Sequence, residues 1–114
     1  MPKIYWVQTY FVKAEKARQF QQWLTSDEAK QLVEQFKDET GLRYMGTYAP
    51  ILGFGDYDAE DWYEAPDWAA LDKIRSSKAS ERMGLKTWDF VDQTRPAKSR
   101  VMRSVQDVKI VAPP

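Results

Sequence analysis

The side chains able to do chemistry in this sequence are few, and what is missing narrows the field first. The 114-residue chain has no histidine and no cysteine. That removes the usual general base near neutral pH, the Ser–His triad, His-ligated zinc, proximal-His haem and thiolate chemistry. A carboxylate or a tyrosine is left as the acid–base group. Asp61 is the foremost candidate. At two-residue spacing it shares a strand face with Tyr57 and Tyr63, and a carboxylate among aromatic rings can have a raised pKa and act as a base. The alternative is a surface aspartate in the solvated acidic run "DYDAED". Gln8 lies amid the apolar residues of "KIYWVQTYFV". If buried, its amide needs partners, either a ligand or else neighbouring backbone or a dimer mate. Tyr10, Tyr44 and Tyr48 could line a pocket and orient a small phenolic or polyketide-like substrate, or pack in a dimer interface.

Several further residues complete the candidate set. Trp62, Trp68 and Trp88 read as core or pocket wall, with Trp62 and Tyr63 the ones nearest Asp61 in sequence. Arg43 and Arg103 could pair with an anionic ligand or with Asp61, although surface pairing is commoner and worth little. Asp56, Asp58, Glu60 and Asp61 could attract a hard cation, but they lack the spacing of a calcium loop, and no metal site is assigned.

The elements that must carry these residues follow from periodicity. A first strand spans Lys3 to Val12, with Ile4, Trp6, Gln8 and Tyr10 on one face and Tyr5, Val7, Thr9 and Phe11 on the other. Helical spacing places Ala17, Phe20 and Leu24 on one stripe, and Ala29, Leu32, Val33 and Phe36 on a second. The change of phase at "TSDE" predicts a break, with Thr25 and Glu28 at capping-box spacing and Ser26 a second candidate cap. Gly41 is a helix stop. A second strand covers roughly Leu42 to Ile51, with Tyr44, Gly46 and Tyr48 on one face. "PILGFGD" is a loop, and a third strand runs roughly Tyr57 to Glu64. "APDW" opens a helix with Trp68, Leu71 and Ile74 on its apolar side, and "RSSKAS" breaks it. A further helix over about Glu81 to Thr94 groups Leu85, Trp88 and Val91. The last strand is roughly Ser99 to Val105, and residues 105–114 form an extended tail.

This order, β-α-β-β-α-β with each helix broken in two, predicts an α+β, ferredoxin-like fold. Both helical arms cover one face of a four-stranded antiparallel sheet, and residues 1–114 form one domain. The opposite face should be polar in a monomer, yet Tyr5, Val7 and Phe11 point to it. A second copy, sheet against sheet, is the simplest cover; broken helices or the tail folding over the sheet is the alternative.

Composition sets outer bounds. Seventeen basic residues balance seventeen acidic ones, with no basic stripe, which argues against nucleic-acid binding. No apolar run approaches the roughly 20 residues of a membrane helix, and "MPKIYW" is unlike a signal peptide, so a cytoplasmic protein without a membrane partner is expected. Five tryptophans and six tyrosines suit a core, an interface or a ligand pocket.

The chain resembles the dimeric α/β-barrel superfamily, and within it the NIPSNAP-like branch. The segments that carry the resemblance are "YWVQTYFVKAEKARQF", "GLRYMGTY", "EDWYEAPDWAAL" and "KTWDFVD". It spans Lys3 to about Arg103. The chain departs from the pattern in having no histidine, and "FGDYDAEDW" is more acidic than the usual third strand. The resemblance implies a homodimer joined through the sheet face, with a ligand cavity between sheet and helices in each subunit. It places Gln8 near a position where some cofactor-independent monooxygenases carry an amide. Gln8, Tyr10, Tyr44, Tyr48, Trp62, Tyr63 and Arg103 are thus the candidate ligand-binding residues, and Asp61 the catalytic one. It implies binding of a small apolar molecule, with oxidation, cyclisation or isomerisation of an aromatic or polyketide-like substrate and no cofactor. A non-catalytic structural or protein-interaction module is the alternative. Haem handling is a third reading: the missing histidine counts against it, although tyrosine can ligate haem iron.

Overall fold

A computed structural model of the chain describes residues 3–50 and 58–105. Most of the "PILGFGD" loop, Tyr57 and the tail from residue 106 lie outside the described residues. Four strands form one antiparallel sheet in the order β2-β3-β1-β4: β1 is Ile4–Tyr10, β2 Arg43–Tyr48, β3 Ala59–Ala65 and β4 Lys98–Arg103. The first helical arm holds a 3₁₀ turn at Ala14–Lys16, then α1 at Ala17–Leu24 and α2 at Asp27–Thr40. The second holds α3 at Ala69–Asp72, a 3₁₀ turn at Ile74–Ser76 and α4 at Lys78–Thr87. This is the ferredoxin-like arrangement, with both arms broken where the sequence changes phase.

Capping chemistry explains the breaks. Ser26, not Thr25, caps α2: its Oγ accepts from Ala29 N at 3.2 Å and donates to the Trp23 carbonyl. The Thr25 hydroxyl instead donates back to the Gln22 carbonyl, so the Thr25–Glu28 capping box does not form. Gly41 ends α2 at φ 86°, the left-handed conformation that glycine adopts without strain. Ser77 caps α4, which therefore begins at Lys78, earlier than the apolar spacing predicts. The Glu39 carboxylate, near the end of α2, reinforces that cap. Its Oε1 accepts from the Ser77 hydroxyl at 2.7 Å and Ala79 N at 3.0 Å, while Oε2 accepts from Gln35. These bonds hold its pKa down at about 2, the Ala79 amide contributing most.

The core lies between sheet and helices. Ile4, Phe36, Leu42, Tyr63, Ala65, Ala70 and Ala79 form its main cluster, with Trp6 and Tyr44 against it. Leu85 and Trp88 are not part of it: both are exposed, as is Trp68. The inward face of α4 is set by its Ser77 start and presents Ala79 and Met83, so the grouping of Leu85, Trp88 and Val91 is in the wrong phase.

The outer face of the sheet is mixed rather than purely aromatic. Tyr5 meets Trp62 with ring centroids 5.7 Å apart. Around them Glu64 is reached by Arg43 at 3.4 Å and Lys3 at 4.0 Å, and Glu60 by Arg100 at 3.5 Å. Val7 and Thr9 are buried already within one chain, Val7 between its register partners Trp62 and Arg100. Strand 1 alone looks too apolar to meet water. Its neighbours supply charged heads on long stems that cover part of it.

Candidate functional site

The inner face of the sheet forms the floor of a cavity of 340 Å³ between sheet and helices. Strands β1 and β3 contribute Trp6, Gln8, Tyr10, Asp61 and Tyr63, and β2 contributes Tyr44 and Thr47. The helical walls supply Trp23, Leu24, Val33 and Phe36 on one side, and Ser80, Met83, Gly84 and Thr87 on the other. Lys30, exposed, stands on α2.

Alternation places Gln8 and Asp61 on this face, and register makes them direct cross-strand partners. Strict alternation fails in β2. The pairing shifts between Tyr44 and Gly46, leaving Met45 as the extra residue of a β-bulge. Gly46 takes φ 147°, which a side chain would oppose. Beyond the bulge the faces exchange. Tyr44 pairs with Tyr63 and Thr47 with Asp61, both over the cavity, whereas Tyr48 pairs with Glu60 on the outer side. The expected face of Tyr44, Gly46 and Tyr48 is therefore split, and Thr47 joins the site in place of Tyr48. No composition signal pointed to Thr47; the glycine two residues after Tyr44 was the one available hint of a bulge.

Asp61 is the hub. Its Oδ1 accepts from the Tyr10 hydroxyl at 2.7 Å and from Thr47 Oγ1 at 2.7 Å. Tyr44 and Thr47 hydroxyls are hydrogen-bonded. A threonine hydroxyl has a single proton; with that proton given to Asp61, Tyr44 donates to Thr47. The result is a relay from Tyr44 through Thr47 to a carboxylate that Tyr10 also clamps. Burial raises the Asp61 pKa above its ordinary value, and the Thr47 and Tyr10 hydrogen bonds oppose that rise. Tyr10 and Tyr63 are pushed well above the usual phenol range by burial first and by the Asp61 charge second. Burial raises Tyr44 too, against the Thr47 hydrogen bond. These phenols stay protonated, and Tyr10 and Tyr44 act as donors. Asp61 is the one carboxylate lining the cavity among the described residues.

Unused polar capacity also faces the cavity. The Gln8 amide and the Tyr63 hydroxyl make no hydrogen bond among the described residues, nor does Asp61 Oδ2. Trp23 Nε1 is the one buried side-chain polar atom among the described residues without a partner, and its ring is part of the wall.

The remaining candidates lie elsewhere. Trp62 is on the outer face, its indole donating to Glu60 Oε1 at 3.2 Å. Tyr48 is more than half exposed at the β2 edge, its hydroxyl donating to the Met45 carbonyl. Arg103 is exposed near the end of β4, opposite Ile4, and Arg43 is held by Glu64; neither reaches Asp61. The acidic run is dispersed. Glu60 and Asp61 point to opposite faces, Asp58 accepts from Val12 N at 3.0 Å, and Asp56 lies outside the described residues. Among the described residues no cluster of three or more potential metal ligands gathers, and no helix is long and apolar enough to cross a membrane.

The sheet order and broken helices define the class as ferredoxin-like, and solved structures carry the same fold. A NIPSNAP-family protein of unknown function from Agrobacterium tumefaciens is 14% identical, with 90% of this chain and 87% of the other aligned at a TM-score of 0.62. A dimeric ferredoxin-like protein of unknown function from Bacteroides fragilis is 5% identical, over 90% and 96% of the two chains, at 0.61. A candidate antibiotic biosynthesis monooxygenase from Nitrosomonas europaea is 12% identical, over 95% and 94%, at 0.62. No protein-family model matches this sequence, and no curated protein matches it significantly. At such identities the likeness establishes the fold alone, the ferredoxin-like architecture.

Proposed function

We propose that this chain is a homodimeric small-molecule-binding domain whose ligand lies in the cavity over Asp61. The observation that carries the reading is the Asp61 hub: a carboxylate with a raised pKa, fixed through Oδ1 by two hydroxyls, with no partner on Oδ2 among the described residues and, beside it, a Gln8 amide likewise unpaired among them. Apolar walls of Trp6, Phe36 and Met83 suit an aromatic or polyketide-like body. A weakly acidic hydroxyl or enol of such a ligand donates to Asp61 Oδ2. As a base, Asp61 takes that proton while the Gln8 amide steadies the oxygen left negative. This is the first step needed for cofactor-independent cyclisation or isomerisation, and for oxidation in which the deprotonated substrate gives its electrons directly to molecular oxygen. The Nitrosomonas neighbour is consistent with that chemistry. The Bacteroides neighbour, a dimer, supports a dimer here, and the second copy docks on the outer sheet face, where Tyr5 and Trp62 sit within the ion-pair frame.

Calorimetric titration with 2-naphthol, a compact phenolic probe, tests the reading. Saturable binding at one site per chain is expected. Asp61→Asn should weaken it about tenfold, the effect of losing one hydrogen bond to a charged acceptor. Absence of binding to a folded wild-type protein, or equal binding by Asp61→Asn, would refute it. Sedimentation equilibrium at micromolar concentration tests the dimer separately.

A further inference from the structure

We infer that the ligand is two-ended: a hydroxyaryl or enolic ring system that carries an anionic group, such as a carboxylate, on the end remote from its hydroxyl. This rests on the cavity being the binding site and goes on to specify what it selects. Two charged residues line the cavity among the described residues, and they stand on different layers: Asp61 on the sheet floor and Lys30 on the α2 wall. The sheet end calls for a group that both donates and accepts. Asp61 Oδ2 can only accept when ionised, and the neighbouring Gln8 amide can donate. A hydroxyl satisfies both, whereas a second carboxylate there would face the Asp61 charge.

The other end differs. Lys30 makes no ion pair among the described residues, although Glu28 on the same helix is taken by Lys86 at 3.2 Å. Its side chain, exposed on α2 and part of the cavity lining, is therefore available to a ligand. Between the two ends the walls are apolar, with Trp6, Val33 and Phe36 among them. The 340 Å³ volume is near the lower limit of small-molecule sites, which fits a bicyclic ring better than a larger one. Because Lys30 is exposed, its effect on affinity is modest, roughly three- to five-fold at low ionic strength, and is screened by salt.

The test is calorimetric titration of the full chain with 2-naphthol, 2-naphthoate and 6-hydroxy-2-naphthoate, using the wild type, Lys30→Gln and Asp61→Asn. We expect 6-hydroxy-2-naphthoate to bind roughly three- to five-fold more tightly than 2-naphthol, and 2-naphthoate to bind worst. Lys30→Gln should shrink the hydroxynaphthoate advantage to less than about twofold, as should added salt. Asp61→Asn should weaken both hydroxylated probes while keeping their ratio. If 2-naphthol binds through Asp61 but the carboxylate adds nothing, or its advantage survives in Lys30→Gln, the two-ended ligand is refuted and the cavity reading stands. If none of the three binds, both fall.

Discussion

Gly84 offers the most direct probe of the cavity, because its presence has no local justification. It lies within α4, where glycine is about 1 kcal/mol less favourable than alanine. A Cβ built on it would meet nothing within 4 Å, so no close approach demands glycine. It lines the cavity, and an open wall is the remaining structural consequence of having no side chain there. Gly84→Ala should therefore stabilise the protein by about 0.8–1 kcal/mol, raising the melting temperature by roughly 4 °C for a domain of this size. Urea unfolding should show a higher midpoint at unchanged slope. Gly84→Leu should also fold, with its branched side chain directed into the opening, and should bind 2-naphthol at least about tenfold more weakly, taking one lost apolar seat as roughly 1.5 kcal/mol. A lower melting temperature for Gly84→Ala would mean that something fills the space beside α4. Undiminished binding by Gly84→Leu would mean that ligands do not use this cavity.

Three further substitutions test the supports of the site. Tyr10→Phe removes one of the two donors to Asp61 and should cost about 1–3 kcal/mol in urea unfolding. The folded pKa of Asp61 lies above its ordinary 3.8, so ionisation opposes folding as pH climbs through it. Losing Tyr10's hydrogen bond raises that pKa further, so the deficit should be smallest below pH 3.8 and widen as pH rises. Glu39 behaves oppositely. Its pKa is lowered from 4.5 to about 2, so its contribution is complete above 4.5 and disappears as pH falls through 2. Glu39→Gln should melt below the wild type at pH 7 and level with it near pH 2. Gly46→Val places a Cβ about 3.1 Å from the Tyr48 hydroxyl at a positive φ. It should cost about 1–3 kcal/mol and, by moving Thr47 off Asp61, weaken 2-naphthol binding.

Much of the architecture was legible from periodicity because each strand and helix has one face that must be buried. Phe20 marked the first helical stripe, Ala29, Leu32 and Phe36 the second, and Gly41 the stop between α2 and β2. Alternation also grouped Gln8 with Tyr10 and Asp61 with Tyr63; that the two groups share one side of the sheet comes from the register. It could not find α4's phase, since that helix buries Ala79, half-buries Met83 and leaves Leu85, like Trp88 just past its end, in water. Hydrophobicity misleads where the largest apolar residues are the exposed ones. Nor could reading strand 1 alone reveal that Arg100 and Trp62 flank Val7, because that depends on pairing between distant segments.

The extra residue at Met45 bears on how such a site could change. Were β2 to pair without the bulge from Tyr44 onward, Met45 would oppose Trp62, Gly46 would oppose Asp61 and Thr47 would turn outward opposite Glu60. The carboxylate would then lose one of its two donors and lie across from a residue with no side chain, with sheet and helices untouched. Absorbing one extra residue in a bulge thus preserves the alcohol presented beside a ligand, where a one-residue slip of the strand would remove it.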